Sequence, residues 1–208
     1  MLKLFASLFA AYFITAEASS TYLPSGFRVE VVQEYESALP GGEKRSSEGH
    51  ILYSYPGQIR FELKTPDHIV FVSDGESTWY YTAPAIEGQP GELNISEAGN
   101  SGLSRFFDAL THGLNSNESY QVEKNDKRAT LVFEESMAQQ LDIRSAILEF
   151  SDNEKRFQHI TQVSLTYLDG HQTDLKFKNM RPLGQIDDVK RRDFFRFVPP
   201  ENTRVNRI

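Results

Sequence analysis

The five histidines, His50, His68, His112, His159 and His171, are scattered, with no pair four residues apart and no other metal spacing. The chain has no cysteine, so it has neither a thiol nucleophile nor a thiolate ligand. No Gly-x-Ser-x-Gly elbow and no phosphate-cradling glycine loop occurs. Asp74-Gly75 and Asp169-Gly170 read as turns rather than catalytic carboxylates. No enzymatic activity and no cofactor are expected. The residue types that stand out are apolar and aromatic: 15 Phe, 9 Tyr and 1 Trp against 3 Met. Their chemistry is the shielding of an apolar ligand from water, which needs a wall and a cover rather than a nucleophile.

The wall lies between Gly49 and Tyr81. Turn residues at Pro56-Gly57, Pro66-Asp67 and Asp74-Gly75 divide this stretch into strands over 46–55, 58–64, 68–73 and 77–82. In the second, Ile59, Phe61 and Leu63 alternate with Arg60, Glu62 and Lys64, one face dry and the other wet. Residues 68–73 are apolar on both faces, since Ile69 and Phe71 oppose Val70 and Val72, so both sides must be covered. The cover is the clearest helical period in the chain, with Leu103, Phe106, Phe107, Leu110 and Leu114 on one stripe and Gly113 as its stop.

The remaining segments fit an antiparallel meander. Phe27 to Ser37 reads as a first strand, turning at Pro40-Gly41-Gly42, and Thr82 to Gly99 as a long loop. Tyr120 to Glu123 and Thr130 to Phe133 form a hairpin, and residues 135–142 hold a helical turn. Ile143 to Phe150, Phe157 to Leu168, His171 to Lys178 and Phe194 to Val198 complete a set of about eleven strands. The predicted fold is mainly β (α+β): one curved antiparallel sheet forming an incomplete barrel, closed by lid helices over a hydrophobic cavity.

Residues 1–18 read as a secretion signal, with Lys3, an apolar run to Ile14, and Ala16-Glu17-Ala18 as the cleavage pattern. Cleavage is expected after Ala18, leaving 19–208 as one domain in the periplasm of a bacterium, where a cysteine-free core suffices. A net charge of −7 argues against a nucleic-acid partner, and Lys190-Arg191-Arg192, set among aspartates, reads as a solvated turn.

Several of these residues, taken in order, carry a resemblance. They are Gly49 with Pro56-Gly57, Arg60-Phe61, Pro66, Val72-Ser73-Asp74-Gly75, Trp79-Tyr80-Tyr81, and Phe195-Arg196-Phe197 before Pro199-Pro200. In this pattern the chain resembles the periplasmic outer-membrane lipoprotein carrier proteins of Gram-negative bacteria. The resemblance implies an incomplete barrel that shields the acyl chains of a lipoprotein. It implies loading from an ABC-type release complex in the inner membrane and delivery to a lipoprotein receptor at the outer membrane. A monomer is expected. The implied acyl-chain cavity is Ile59, Phe61, Leu63, Phe71, Trp79 and Tyr81, and the implied lid is Leu103, Phe106, Phe107 and Leu110.

Two positions depart from the family pattern. Members commonly carry an arginine before the proline matched by Pro56, bonded to the closed lid; here that lid-lock position is Tyr55. Members also begin with an amphipathic helix, for which Ser19 to Ser25 is too short. A regulatory or sensor protein that binds lipid or lipoprotein on the same fold is the alternative function.

Overall fold

The computed structural model describes residues 21–36, 44–65, 68–97, 102–184 and 187–207. The expected signal segment and the Pro40-Gly41-Gly42 turn lie outside them. The described strands form one large, curved, open sheet. In chain order they are β1 (Gly26–Glu36), β2 (Lys44–Ser54), β3 (Gln58–Thr65), β4 (Ile69–Ser73), β5 (Ser77–Thr82) and β6 (Gly91–Glu97). Then come β7 (Tyr120–Asn125), β8 (Arg128–Phe133), β9 (Ile143–Phe150), β10 (Ile160–Tyr167), β11 (Gln172–Pro182) and β12 (Thr203–Arg207). The spatial order is β12-β6-β5-β4-β3-β2-β1-β11-β10-β9-β8-β7. All pairs are antiparallel except β12 with β6.

Helices α1 (Gly102–Leu110) and α2 (Glu135–Leu141) pack on the inner face, and α3 (Asp188–Phe194) precedes the last strand. The main core lies under α1 and α2. Phe27, Val29 and Val31 point into it from β1 while Arg28 and Glu30 are exposed, the period-two pattern of a strand with one dry face. Ile143, Ala146, Leu148 and Phe150 of β9, with Val163 and Leu165 of β10, close its far side. Residues 21–25 form no helix; Leu23 is buried, and Tyr22 packs edge-on against Phe157 and donates its hydroxyl to the Lys155 carbonyl.

Three expectations change. The segment read as a loop over 82–99 contains β6, whose Leu93 and Ile95 pack on the outer face. It was missed because Gly91, Asn94 and Ser96 dilute the apolar alternation. The basic Lys190-Arg191-Arg192 run is not a turn but part of α3: Asp187 caps it by accepting from the Lys190 amide at 2.8 Å, and Arg191 and Arg192 sit in its last turn. The expected strand over 194–198 is the end of α3 and an irregular segment, and the true last strand is β12.

The outer face carries a second, smaller core. Val70, Val72, Tyr81 and Leu93 are buried there, with Trp79, Ala83, Ile95 and Phe197 against them. Phe197 lies over Tyr81 with ring centroids 5.3 Å apart. The C-terminal segment therefore supplies the cover that the two-sided apolar run of β4 requires.

Candidate functional site

Helix α1 is bolted to the sheet through its buried stripe. Phe107 meets Phe27 and Tyr53 with centroids 5.1 and 5.4 Å apart, and Phe106 meets Phe107 and Phe133 at 5.3 and 6.2 Å. Hydrogen bonds from three donors fix the rest of the helix. The Tyr53 hydroxyl donates to Asp108 Oδ1 at 2.5 Å, and the Gly57 amide donates to the same oxygen at 3.0 Å. Past the C-terminus the Tyr120 hydroxyl donates to the Gly113 carbonyl at 2.6 Å, and at 3.2 Å to the Ala109 carbonyl, which also accepts from the His112 amide. Gly113, at φ 81°, ends the helix as its sequence position foretells. At the other end α1 meets α2 at close range, for a Cβ on Gly102 would fall 2.2 Å from the Leu141 carbonyl oxygen.

Burial pushes the Tyr53 hydroxyl far above the usual tyrosine range, and its Asp108 hydrogen bond and the Asp108 charge push the same way. The phenol stays protonated and serves as a donor throughout the accessible pH range.

Beneath α1 and α2 an open cavity of about 570 Å³ separates them from β3–β5. Its apolar walls are Phe61, Phe71 and Tyr80 from the sheet, Leu103 from α1, and Tyr167 from β10. Gln139, Gln140 and Asp142 of the α2 region and Arg105 of α1 form its polar rim. Tyr167 is held by stacking on His171 at 4.0 Å. A second, polar cleft of about 500 Å³ adjoins at Arg105 and runs between α1, α3 and the turns after β2 and β4. Among the described residues no three His, Cys, Asp or Glu side chains are grouped as a metal site. No helix among them is long and apolar enough to cross a membrane.

The implied cavity residues do not all share one face. Phe61 pairs with Phe71, and Phe71 with Tyr80, so these three stand side by side on the inner face. Ile59 and Leu63 point the same way but are buried in the main core below the cavity. Trp79 and Tyr81 are a correction: they lie on the outer face, in the cluster covered by Phe197. The register explains it, because Val72 pairs with Trp79 and Val70 with Tyr81. Across the 74–76 turn, odd-numbered residues of β4 share a face with even-numbered residues of β5. Of the implied lid, Leu103 reaches the cavity, whereas Phe106, Phe107 and Leu110 are buried in the core and anchor the helix.

A family model for the outer membrane lipoprotein carrier protein LolA matches residues 25–190. The chain belongs to this family. An outer-membrane lipoprotein carrier protein of Chromohalobacter salexigens is 28% identical over 179 residues, 83% of this chain and 77% of that protein. One from Psychromonas ingrahamii is 34% identical over 107 residues, half of this chain and 48% of its own length. A solved LolA-superfamily structure from Nitrosomonas europaea aligns with 84% of this chain and 91% of its own, at 12% identity and a TM-score of 0.42.

In this LolA-family chain the side chain at the expected lid-lock position, Tyr55, makes no hydrogen bond to α1 among the described residues. The Tyr55 side chain is 51% exposed, and its backbone amide is spent on the Ser25 carbonyl at 2.9 Å. The contact to α1 is made two residues away on either side, by the Tyr53 hydroxyl and the Gly57 amide. Tyr53 was legible only as a residue of the strand over 46–55. Nothing in its local sequence points to Asp108, which is 55 positions away. Tyr80, Tyr167 and Arg105 were likewise missed. Tyr80 alone had a signal, the change of parity across the Asp74-Gly75 turn.

Proposed function

We propose that this protein is a periplasmic, non-enzymatic carrier that takes the acyl chains of lipoproteins into the cavity between α1, α2 and β3–β5. The observation that carries the reading is the half-buried aromatic wall of Phe61, Phe71 and Tyr80 under Leu103. Fully packed cores leave no such surface beneath a helix. Each methylene removed from water contributes about 0.8 kcal/mol, so an exposed acyl chain needs a surface of this kind, and apolar contact imposes no hydrogen-bond geometry on the cargo. Membership in the carrier family, and the names of the relatives from Chromohalobacter and Psychromonas, support lipoprotein as the cargo.

On this reading the protein works as a monomer. It is loaded by an ABC-type release complex at the inner membrane and unloaded at a receptor on the outer membrane. On this reading transfer needs no covalent chemistry, because it depends only on relative apolar affinity. The test is isolation from the periplasm followed by mass spectrometry of co-purifying lipidated protein. Phe61→Glu should abolish co-purification. Wild-type protein that carries no acylated species, together with unaltered lipoprotein sorting on depletion, would sink the proposal.

A further inference from the structure

The polar cleft beside the cavity holds side chains whose hydrogen-bonding capacity is unused. Arg105 of α1 and Arg191 of α3 both line it. Among the described residues neither side chain makes an ion pair or a hydrogen bond, and Arg191 Nε is buried without a partner. Gln58 donates its amide to the Asp74 carbonyl at 3.1 Å, yet its Oε1 is buried and accepts nothing. Buried donors and acceptors left open carry a desolvation cost, which a ligand that fills them removes.

Among the described residues no cleft carboxylate forms an ion pair with either arginine, and two of the carboxylates are engaged elsewhere. Asp108 Oδ1 accepts from Tyr53 and Gly57, and Asp74 Oδ1 accepts from the Glu76 and Ser77 amides at 2.9 and 2.8 Å. With Glu76 the cleft has three carboxylates against two guanidiniums. A bare anion therefore meets net repulsion there, despite the free arginines. A polypeptide backbone meets none, and it supplies both of the missing partners: carbonyls for Arg105 and Arg191, and an amide for Gln58 Oε1. Arg105 lines both the acyl cavity and the cleft, so a chain leaving the first enters the second.

We propose that this cleft receives the first residues of the cargo polypeptide, those that follow its acylated terminus. The assignment rests on the carrier reading above and adds to it a site for the peptide rather than the lipid. Arg105 stands at the junction and sets where the acyl chains end and the peptide begins. Gln58 and Arg191 hold the backbone beyond it without reading side chains, so cargoes of different sequence are accommodated.

The test compares three probes by titration: a triacylated cysteine pentapeptide, uncharged N-methylpalmitamide, and palmitoyl lysophosphatidylglycerol. Gln58→Ala with Arg191→Ala, both lining the cleft and neither the acyl cavity, should weaken the lipopeptide about tenfold or more, the loss expected when a charge-assisted bond and a neutral one are removed, and leave N-methylpalmitamide unchanged. Unchanged N-methylpalmitamide binding also shows that the fold is intact. If the double variant does not fold, Arg191→Ala and Gln58→Ala singly carry the same comparison. The proposal is overturned if lipopeptide affinity does not change, or if only lysophosphatidylglycerol weakens, which would make the cleft a headgroup site. A wild-type protein that binds neither the lipopeptide nor N-methylpalmitamide overturns the carrier reading itself, and this assignment with it.

Discussion

The hydroxyl of Tyr53, on the inner face of β2, donates to the carboxylate of Asp108 on α1 at 2.5 Å. This bond ties the sheet to the helix that roofs the cavity. It stands beside the aromatic contact of the same Tyr53 ring with Phe107, so one residue makes both the apolar and the polar attachment.

Tyr53→Phe keeps the ring packing and removes the polar attachment alone. Asp108 then retains only the Gly57 amide. Stability should fall by about 2 kcal/mol, the range for a hydrogen bond to a charged group. Urea unfolding measures the loss, and hydrogen exchange should show faster opening of the α1 amides than of the β9 and β10 amides. Equal protection of α1 in wild type and variant would mean that the bond does not hold the helix.

Tyr55→Ala should be nearly silent. The side chain is exposed and makes no described contact with α1, so stability should stay within about 0.5 kcal/mol of wild type. Lipopeptide affinity should also be unchanged. A loss of affinity in titration would restore Tyr55 as the lid contact in the loaded state.

Phe61 and Trp79 should separate cleanly. Phe61→Glu puts a charge on the cavity wall and should remove acyl binding, with a modest stability change because the site is half open. Trp79→Ala empties part of the outer cluster and should cost about 3 kcal/mol while acyl binding persists. Parallel urea and lipopeptide titrations decide it, and the opposite pattern would place the binding face on the wrong side of the sheet.

The outer face should show acid sensitivity through His50. Burial lowers its pKa, the Glu62 charge opposes this, and the charges of Arg28, Lys64 and Arg60 lower it further. The unfolded chain then takes up this proton first, near pH 6.5. The contribution is complete above that value and is lost as pH falls from it toward the lowered folded pKa. Burial raises the Glu62 pKa, but the Arg60 hydrogen bond and the neighbouring cations outweigh it and hold the group low. Its contribution is present above the ordinary glutamate range and is lost as pH falls through the lowered folded value. Urea midpoints at pH 7.5 and 5.5 should drop in wild type and drop less in His50→Gln, and equal drops would rule His50 out.

Elements whose order is local are written in the amino-acid sequence. Ile59, Phe61 and Leu63 alternate with charge, and α1 repeats its apolar residues at helical spacing, so both are legible within a few residues. The two apolar faces of β4 even announced that something must cover the outer side. What covers it was not legible: Phe197 and β12 return from more than a hundred positions away, and their short, mixed sequences carry no period of their own. The face on which Trp79 and Tyr81 stand was decided by the register across one turn, where a shift of a single residue exchanges the two faces of a strand. The attachment of the roof was decided the same way. Tyr53 and Asp108 come together only because β2 and α1 are brought side by side, and no local pattern encodes a bond that the rest of the fold must first assemble.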